Sequence, residues 1–160
     1  MYQRILVPVD GSVAANSGVQ EAIRLAATLQ SRLLFLHVLD DYPMLQEMTT
    51  QGSLDAMLRD LRHAGLDVLA RARQAAEKAT VHCETVLREV AGRRVADVIV
   101  DQVGQHHCDL VVIGTHGRRG FARLALGSDA EQVVRHSPVP VMLVRQQEHA
   151  TAPASPTSTG

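Results

Sequence analysis

The chain has 160 residues, 46% of them apolar and 21% charged, with a formal net charge of −1; that is enough to bury one core in one domain. Near-neutral charge and only four aromatic residues (Tyr2, Phe35, Tyr42 and Phe121) argue against a nucleic-acid partner, which calls for basic side chains against phosphate and rings against bases. No apolar run approaches the roughly 20 residues that span a bilayer, so no membrane partner is expected.

Met1 leads into a strand-like run with neither a charged leader nor a cleavage pattern. Cys83 and Cys108 stand in separate segments and suggest no disulfide framework. A soluble protein of the reducing cytoplasm is expected. Lys78 is the sole lysine, so the lysine that must follow the last glycine of a P-loop is absent. Any bound phosphate has to be met by backbone amides and arginine.

Arg4 to Ser12 opens as an apolar strand that ends in the turn residues Asp10-Gly11-Ser12, with Pro8 placed where the strand leaves the sheet, since proline cannot donate to a ladder. Val19, Ala22, Ile23, Ala26 and Ala27 follow helical spacing; Ser12 is one candidate N-cap, and Ser17-Gly18-Val19-Gln20 offers a capping-box alternative. Leu33 to Val38 is the continuous apolar run of a strand buried on both faces. Asp40 to Gly52 reads as a loop that turns at Tyr42-Pro43. A long helix follows from Leu54, with Met57, Leu58, Leu61, Val68, Leu69, Ala72 and Ala76 on one stripe and Gly65 as a candidate kink or break. Val81 to Arg88 has the mixed polarity of an edge strand. Val95, Val98, Ile99 and Val103 mark a third helix, Leu110 to Ile113 a fourth strand, Ser128 to His136 the last helix, and Val139 to Val144 a fifth strand that Pro140 assigns to an edge. Residues 146–160 are Ala, Pro, Ser and Thr without apolar period, and read as a disordered tail. Strands alternating with helices predict a parallel sheet covered on both faces.

The stretch from Leu110 to Glu131 organises the rest. A buried strand stops on Gly114, passes through a loop rich in glycine and arginine, and re-enters helix at Ser128. Glycines free the backbone for positive φ, consecutive amides form an anion-binding nest, and the helix start adds its own N–H groups. Strand, nest and helix N-terminus in series predict a phosphate cradle, hence a nucleotide.

The spacing Gly114-x2-Gly117-x9-Gly127-Ser128 matches the nucleotide-binding signature of the universal stress protein family. Val7-Pro8-Val9-Asp10-Gly11-Ser12, Leu36-His37-Val38 and Pro138-Val139-Pro140-Val141 also resemble that family, which the chain follows from about Arg4 to Arg145. The resemblance implies an α/β fold: a doubly wound, Rossmann-like, five-stranded parallel sheet of order 3-2-1-4-5 within a nucleotide-binding domain of residues 1–145. Strands one and four are then neighbours at the topological switch point, where open α/β sheets bind ligands. It further implies ATP, with or without Mg²⁺, as ligand. Pro8, Val9 and Asp10 end the first strand, with Asp10 toward the ribose or adenine, and the Val38 backbone reads the adenine edge. Gly114, Gly117, Gly127 and Ser128 carry the phosphates, and Thr115, His116, Arg118 and Asp129 belong to the same site. A homodimer through the last strand, Val139 to Val144, and unidentified protein partners in stress signalling complete what the family implies. Asp129 departs from the pattern: many ATP-binding members have a small apolar residue there, and a carboxylate opposes a triphosphate unless Mg²⁺, Arg118, Arg119 or Arg123 compensates.

Plainer readings stand beside these. Ser128-Asp129-Ala130-Glu131 is a capping box in its own right, and Asp10 can close a turn by an Asx bond. His106-His107-Cys108-Asp109 fits no standard zinc spacing. No nucleophile elbow, triad or paired carboxylates mark a catalytic centre, so ATP hydrolysis is expected to be slow or partner-dependent. The alternative to a nucleotide-binding stress protein is an interaction protein of the same fold that binds no nucleotide; an ATP-using enzyme of related architecture is the third.

Overall fold

The computed structural model describes residues 1–40, 51–90, 92–115 and 127–145, and only the helical backbone of 51–53. Its elements are β1 (Arg4–Pro8), α1 (Val13–Leu29), β2 (Arg32–Leu39), α2 (Gln51–Lys78), β3 (Cys83–Glu89), α3 (Val95–Gln105), β4 (Leu110–Gly114), α4 (Ser128–His136) and β5 (Val141–Val144). The strands form one sheet of order β3-β2-β1-β4-β5, parallel at every pairing. This is the doubly wound order expected.

Side chains alternate across the sheet with period two. Ile5, Val7, Leu33, Phe35, Leu110 and Val112 pack against α1 and α2, whose contribution includes Val19, Ala22, Ile23, Leu69, Ala72 and Ala76. Leu6, Leu34, Leu36, Val111 and Ile113 pack on the other face against Ala96, Ile99 and Val103 of α3 and Ala130 and Val133 of α4. Helices that precede the switch between β1 and β4 thus lie on one face, and those that follow it lie on the other. Phe35, Ile5, Leu6 and Val111 are wholly buried, each worth about 1.5–3 kcal/mol of transfer free energy.

Helix starts follow local chemistry. Ser12 caps α1 with φ −72° and ψ 160°, its Oγ accepting from the Ala15 N–H at 3.1 Å. The alternative cap, Ser17, is inside the helix and its hydroxyl donates to the Val13 carbonyl at 3.2 Å. Several sequence expectations need correction. The long helix starts at Gln51, three residues before Leu54, so Gly52 is helical. Ala27 and Met57 lie on exposed faces. The fifth strand begins at Val141 because Pro138 and Pro140 have no N–H to pair; the Pro140 carbonyl still accepts from Val111 N–H at 3.0 Å. Gly65 neither kinks nor breaks α2, which runs continuously to Lys78. It is a close-approach glycine: a Cβ there would sit 2.7 Å from His37 Cδ2 and 3.0 Å from Leu87 Cδ1. The expected loop turn at Tyr42-Pro43 and the tail 146–160 lie outside the described residues.

Gly65 and Gly104 therefore predict opposite responses to one substitution. At Gly104 in α3 a Cβ meets nothing within 4 Å, so Gly104→Ala should stabilise by about 0.5–1 kcal/mol through helix propensity and unfolded-state entropy. At Gly65 overpacking outweighs that gain, and Gly65→Ala should destabilise by about 1–2 kcal/mol. Urea unfolding of both variants checks the difference in sign.

Candidate functional site

The parity of the sheet decides which main-chain groups face the switch point. On β1 the Gln3 carbonyl accepts from Arg32 N–H at 2.9 Å and Val9 N–H donates to the Leu36 carbonyl at 2.8 Å, so odd-numbered residues turn toward β2. Even-numbered residues turn toward β4, as the Arg4 carbonyl does in accepting from Asp109 N–H at 2.9 Å. Pro8 falls on that side and has no N–H. The β1–β4 ladder accordingly ends at Leu6↔Val111, whereas the β1–β2 register continues to Pro8↔Leu36. Beyond Leu6 the β1–β4 register does not continue.

Both neighbours of β1 direct backbone toward that end of the ladder. On β2, Leu33 N–H donates to the His82 carbonyl at 2.9 Å and the Leu39 carbonyl accepts from Val90 N–H at 3.1 Å; odd residues face β3, so Val38 faces the side where β1 has ended. Among the described residues no backbone hydrogen bond joins Val38 to Val9, Asp10 or Gly11. On β4, Val111 and Thr115 donate toward β5, to the Pro140 and Val144 carbonyls at 3.0 and 2.9 Å, which turns Gly114 toward β1. Asp10 is the second residue past the end of β1. Its Oδ1 accepts from Ser12 N–H at 2.9 Å, the Asx turn that the sequence allowed, and Gly11 adopts φ +80° to complete it.

The opposite wall differs from the sequence expectation in three respects. Gly114 does not take a positive φ; it is glycine because α1 lies on it, a Cβ there falling 2.5 Å from the Ala14 carbonyl carbon and closer still to its oxygen. The Gly127 N–H, expected on phosphate, donates to the Thr115 carbonyl at 2.7 Å. Ser128 is not the cap of α4: Gly127 occupies that position, without a side-chain capping bond, and the Glu131 carboxylate turns to Arg135 at 3.1 Å. The capping-box reading of Ser128 to Glu131 is thereby corrected. Ser128 and Asp129 are exposed in the first turn of α4, where a helix leaves its N–H groups without intrahelical acceptors and favours negative charge. Thr115 is buried and ties β5 to the start of α4. His116, Gly117 and Arg118, with Arg119 and Arg123, lie outside the described residues.

Pro8, Val9, Asp10, Val38, Gly114, Thr115, Gly127, Ser128 and Asp129 are thus gathered at the carboxyl end of the sheet. His37 joins them unanticipated: it is only 5% exposed, and its Nδ1–H donates to the Val9 carbonyl at 2.6 Å. Its sequence signal was a single polar residue inside the apolar run of β2. His106 to Asp109 lie at the other end of the sheet, where the Asp109 carboxylate accepts from Gln3 and Arg4 N–H at 2.7 and 3.0 Å and burial, then Arg4 and Arg88, lower the pKa of His106. Among the described residues no cluster of three or more His, Cys, Asp or Glu could hold a metal, and no helix is long and apolar enough to cross a membrane.

The profile of the Universal stress protein family matches residues 1–145. The chain belongs to the universal stress protein family. It is 29% identical over 146 residues to universal stress protein MJ0531 of Methanocaldococcus jannaschii, covering 91% of this chain and 84% of that one. Among solved universal stress proteins it is similar to UspA of Lactobacillus plantarum, at 31% identity and a TM-score of 0.67 over 90% of this chain and 98% of that one. A family member from Burkholderia pseudomallei gives 28% and 0.72 over 89% and 96%. Solved universal stress proteins of the same fold, at 23%, 19% and 24% identity and a TM-score of 0.64 each, are described in complex with cAMP, with AMP bound (from Arabidopsis thaliana) and in complex with dAMP (from Archaeoglobus fulgidus). They cover 91%, 95% and 89% of this chain and 98%, 97% and 98% of their own.

Two predictions follow from the packing of this universal stress protein. Gly114→Ala forces backbone apart from backbone, which no rotamer relieves, and should destabilise by about 2–3 kcal/mol in urea titration. Cys108 is buried, and burial pushes its thiol up to about 11; burial also raises Cys83. Thiolate, the reactive form, is therefore scarce below that pH. Native protein at pH 8 should leave Cys108 unmodified by Ellman's reagent while urea-unfolded protein reports both thiols at once, and native labelling should quicken as pH rises toward 11.

Proposed function

We propose that this protein binds an adenine nucleotide, ATP with or without Mg²⁺, in the crevice at the carboxyl ends of β1, β2 and β4, and that occupancy changes its conformation or dimer state in a stress response. The observation that carries the reading is the gap beyond Pro8, into which Val38 and Gly114 turn main-chain groups from opposite sides. Open α/β sheets bind ligands at this position. Relatives described with AMP, cAMP and dAMP support the adenine nucleotide.

In this reading Pro8, Val9 and Asp10 form the floor, Asp10 meets the ribose side, and the Val38 N–H and carbonyl read the adenine edge. Gly114, Thr115, His116, Gly117, Arg118 and Ser128 surround the phosphates. Gly127 acts by setting the start of α4, because its own N–H is committed to Thr115. Asp129 opposes the outer phosphates unless Mg²⁺ or a neighbouring arginine offsets its charge. The outer edge of β5, where Leu143 is exposed, pairs with a second copy. The protein works in the cytoplasm, and hydrolysis is slow or needs a partner.

A second reading, an interaction protein that binds no nucleotide, has specific support. The packing of α1 explains Gly114, Thr115 occupies the Gly127 N–H, and Asp129 and Glu131 complement the dipole of α4 with no ligand. Calorimetry on nucleotide-free protein separates the two. Saturable heat with Mg-ATP is expected, with a stabilisation of about 2.7 kcal/mol at 100 times the Kd and a several-fold gain in affinity in Asp129→Ala. Absence of saturable heat with ATP, ADP and AMP alike would overturn the nucleotide reading and leave the second.

A further inference from the structure

Had β1 continued beside β2, parallel-ladder geometry would bring Val38 N–H to the Val9 carbonyl, two residues beyond the bond that Leu36 accepts from Val9. That rung is missing, and the carbonyl is instead held by His37 Nδ1 at 2.6 Å. A carbonyl only accepts, so Nδ1 carries the proton. The imidazole is fixed from the other side by α2, where Gly65 leaves room for it and any Cβ would lie 2.7 Å from Cδ2 and 3.1 Å from Nε2. Val9 itself is buried and remains tied to Leu36.

We infer that His37 is the positioning residue of the candidate site: it captures the Val9 carbonyl and so keeps the Val38 N–H turned toward the ligand. The inference rests on the nucleotide reading for its functional half and on the geometry of the free protein for its structural half. Adenine offers an acceptor at N1 and a donor at the 6-amino group, which complement an N–H and a carbonyl of one residue. Hypoxanthine presents the reverse, a donor at N1 and an acceptor at O6. His37 therefore governs base selectivity without touching the base. A ring that merely filled space would leave selectivity unchanged.

The test uses full-length, nucleotide-free protein as wild type, His37→Phe and His37→Asn, titrated with AMP and with inosine monophosphate. His37→Phe keeps the ring and loses the donor; AMP affinity should fall about tenfold, the size of one lost hydrogen bond, while inosine monophosphate changes less than about threefold. His37→Asn restores a donor near the position of Nδ1 and should recover most of the preference for AMP. An unchanged ratio of the two affinities in His37→Phe overturns the inference. Should the Phe variant not fold, the wild type decides by NMR: His37 must be the Nδ1–H tautomer, and the Val38 amide must exchange readily without ligand and become protected with AMP. A Nε2–H tautomer, or a Val38 amide already protected in the free protein, overturns it as well. If wild type binds neither nucleotide, the proposed function fails, and tautomer and exchange still judge the structural half.

Discussion

One absent N–H shapes the carboxyl end of this sheet. A central strand of a parallel sheet is hydrogen-bonded on both sides, and proline is foreign to it because the missing donor removes a rung. Here Pro8 stands in the middle strand, with its missing donor on the β4 side. On the β2 side the register runs on to Pro8 and Leu36, and Val9 N–H adds a further bond. The sheet is thus kept whole along one seam and released along the other. That asymmetry ends one ladder without loosening the core, since Ile5, Leu6 and Val7 remain fully buried just before it.

Around that release each neighbour has a structural duty as well as an orientation. Asp10 closes a turn; Gly114 admits α1 and ends β4; Gly65 admits the His37 ring and preserves an unbroken α2. The candidate site is held by strands, a helix start and buried hydrogen bonds, so its described residues are positioned by the same packing that stabilises the fold. Asp129 and Glu131 in the first turn of α4 put negative charge at the start of that helix, where its dipole favours it.

Much of this was legible in the chain. Continuous apolar runs such as Leu33 to Leu36, alternating with helical stripes such as Val19, Ala22, Ile23 and Ala26, specify a parallel sheet buried on both faces. The family signature specifies its strand order. The reach of α2 and the identity of the α4 cap were not legible, because both depend on tertiary surroundings that override local propensity. Glycine was the least transparent residue: Gly114 and Gly65 look like a flexible strand end and a helix break, yet both are close-packing positions, a property of the partner surface and not of the local sequence. His37 reads as a strand-end residue, and its bond was not legible for a related reason, since its partner Val9 lies just past the end of another strand and only register reveals the pair.

Thr115 links the sheet to residues 116–126 in a way that separates two kinds of change. Its N–H is anchored on β5 and its carbonyl on Gly127, so the intervening segment begins and ends on the same buried residue. A segment closed at its base behaves as a cassette: lengthening it adds only about 0.6 kcal/mol for each doubling, and that penalty stops at the clamp. A change of length between Thr115 and Gly127 can therefore be absorbed while β4 and β5 keep their register.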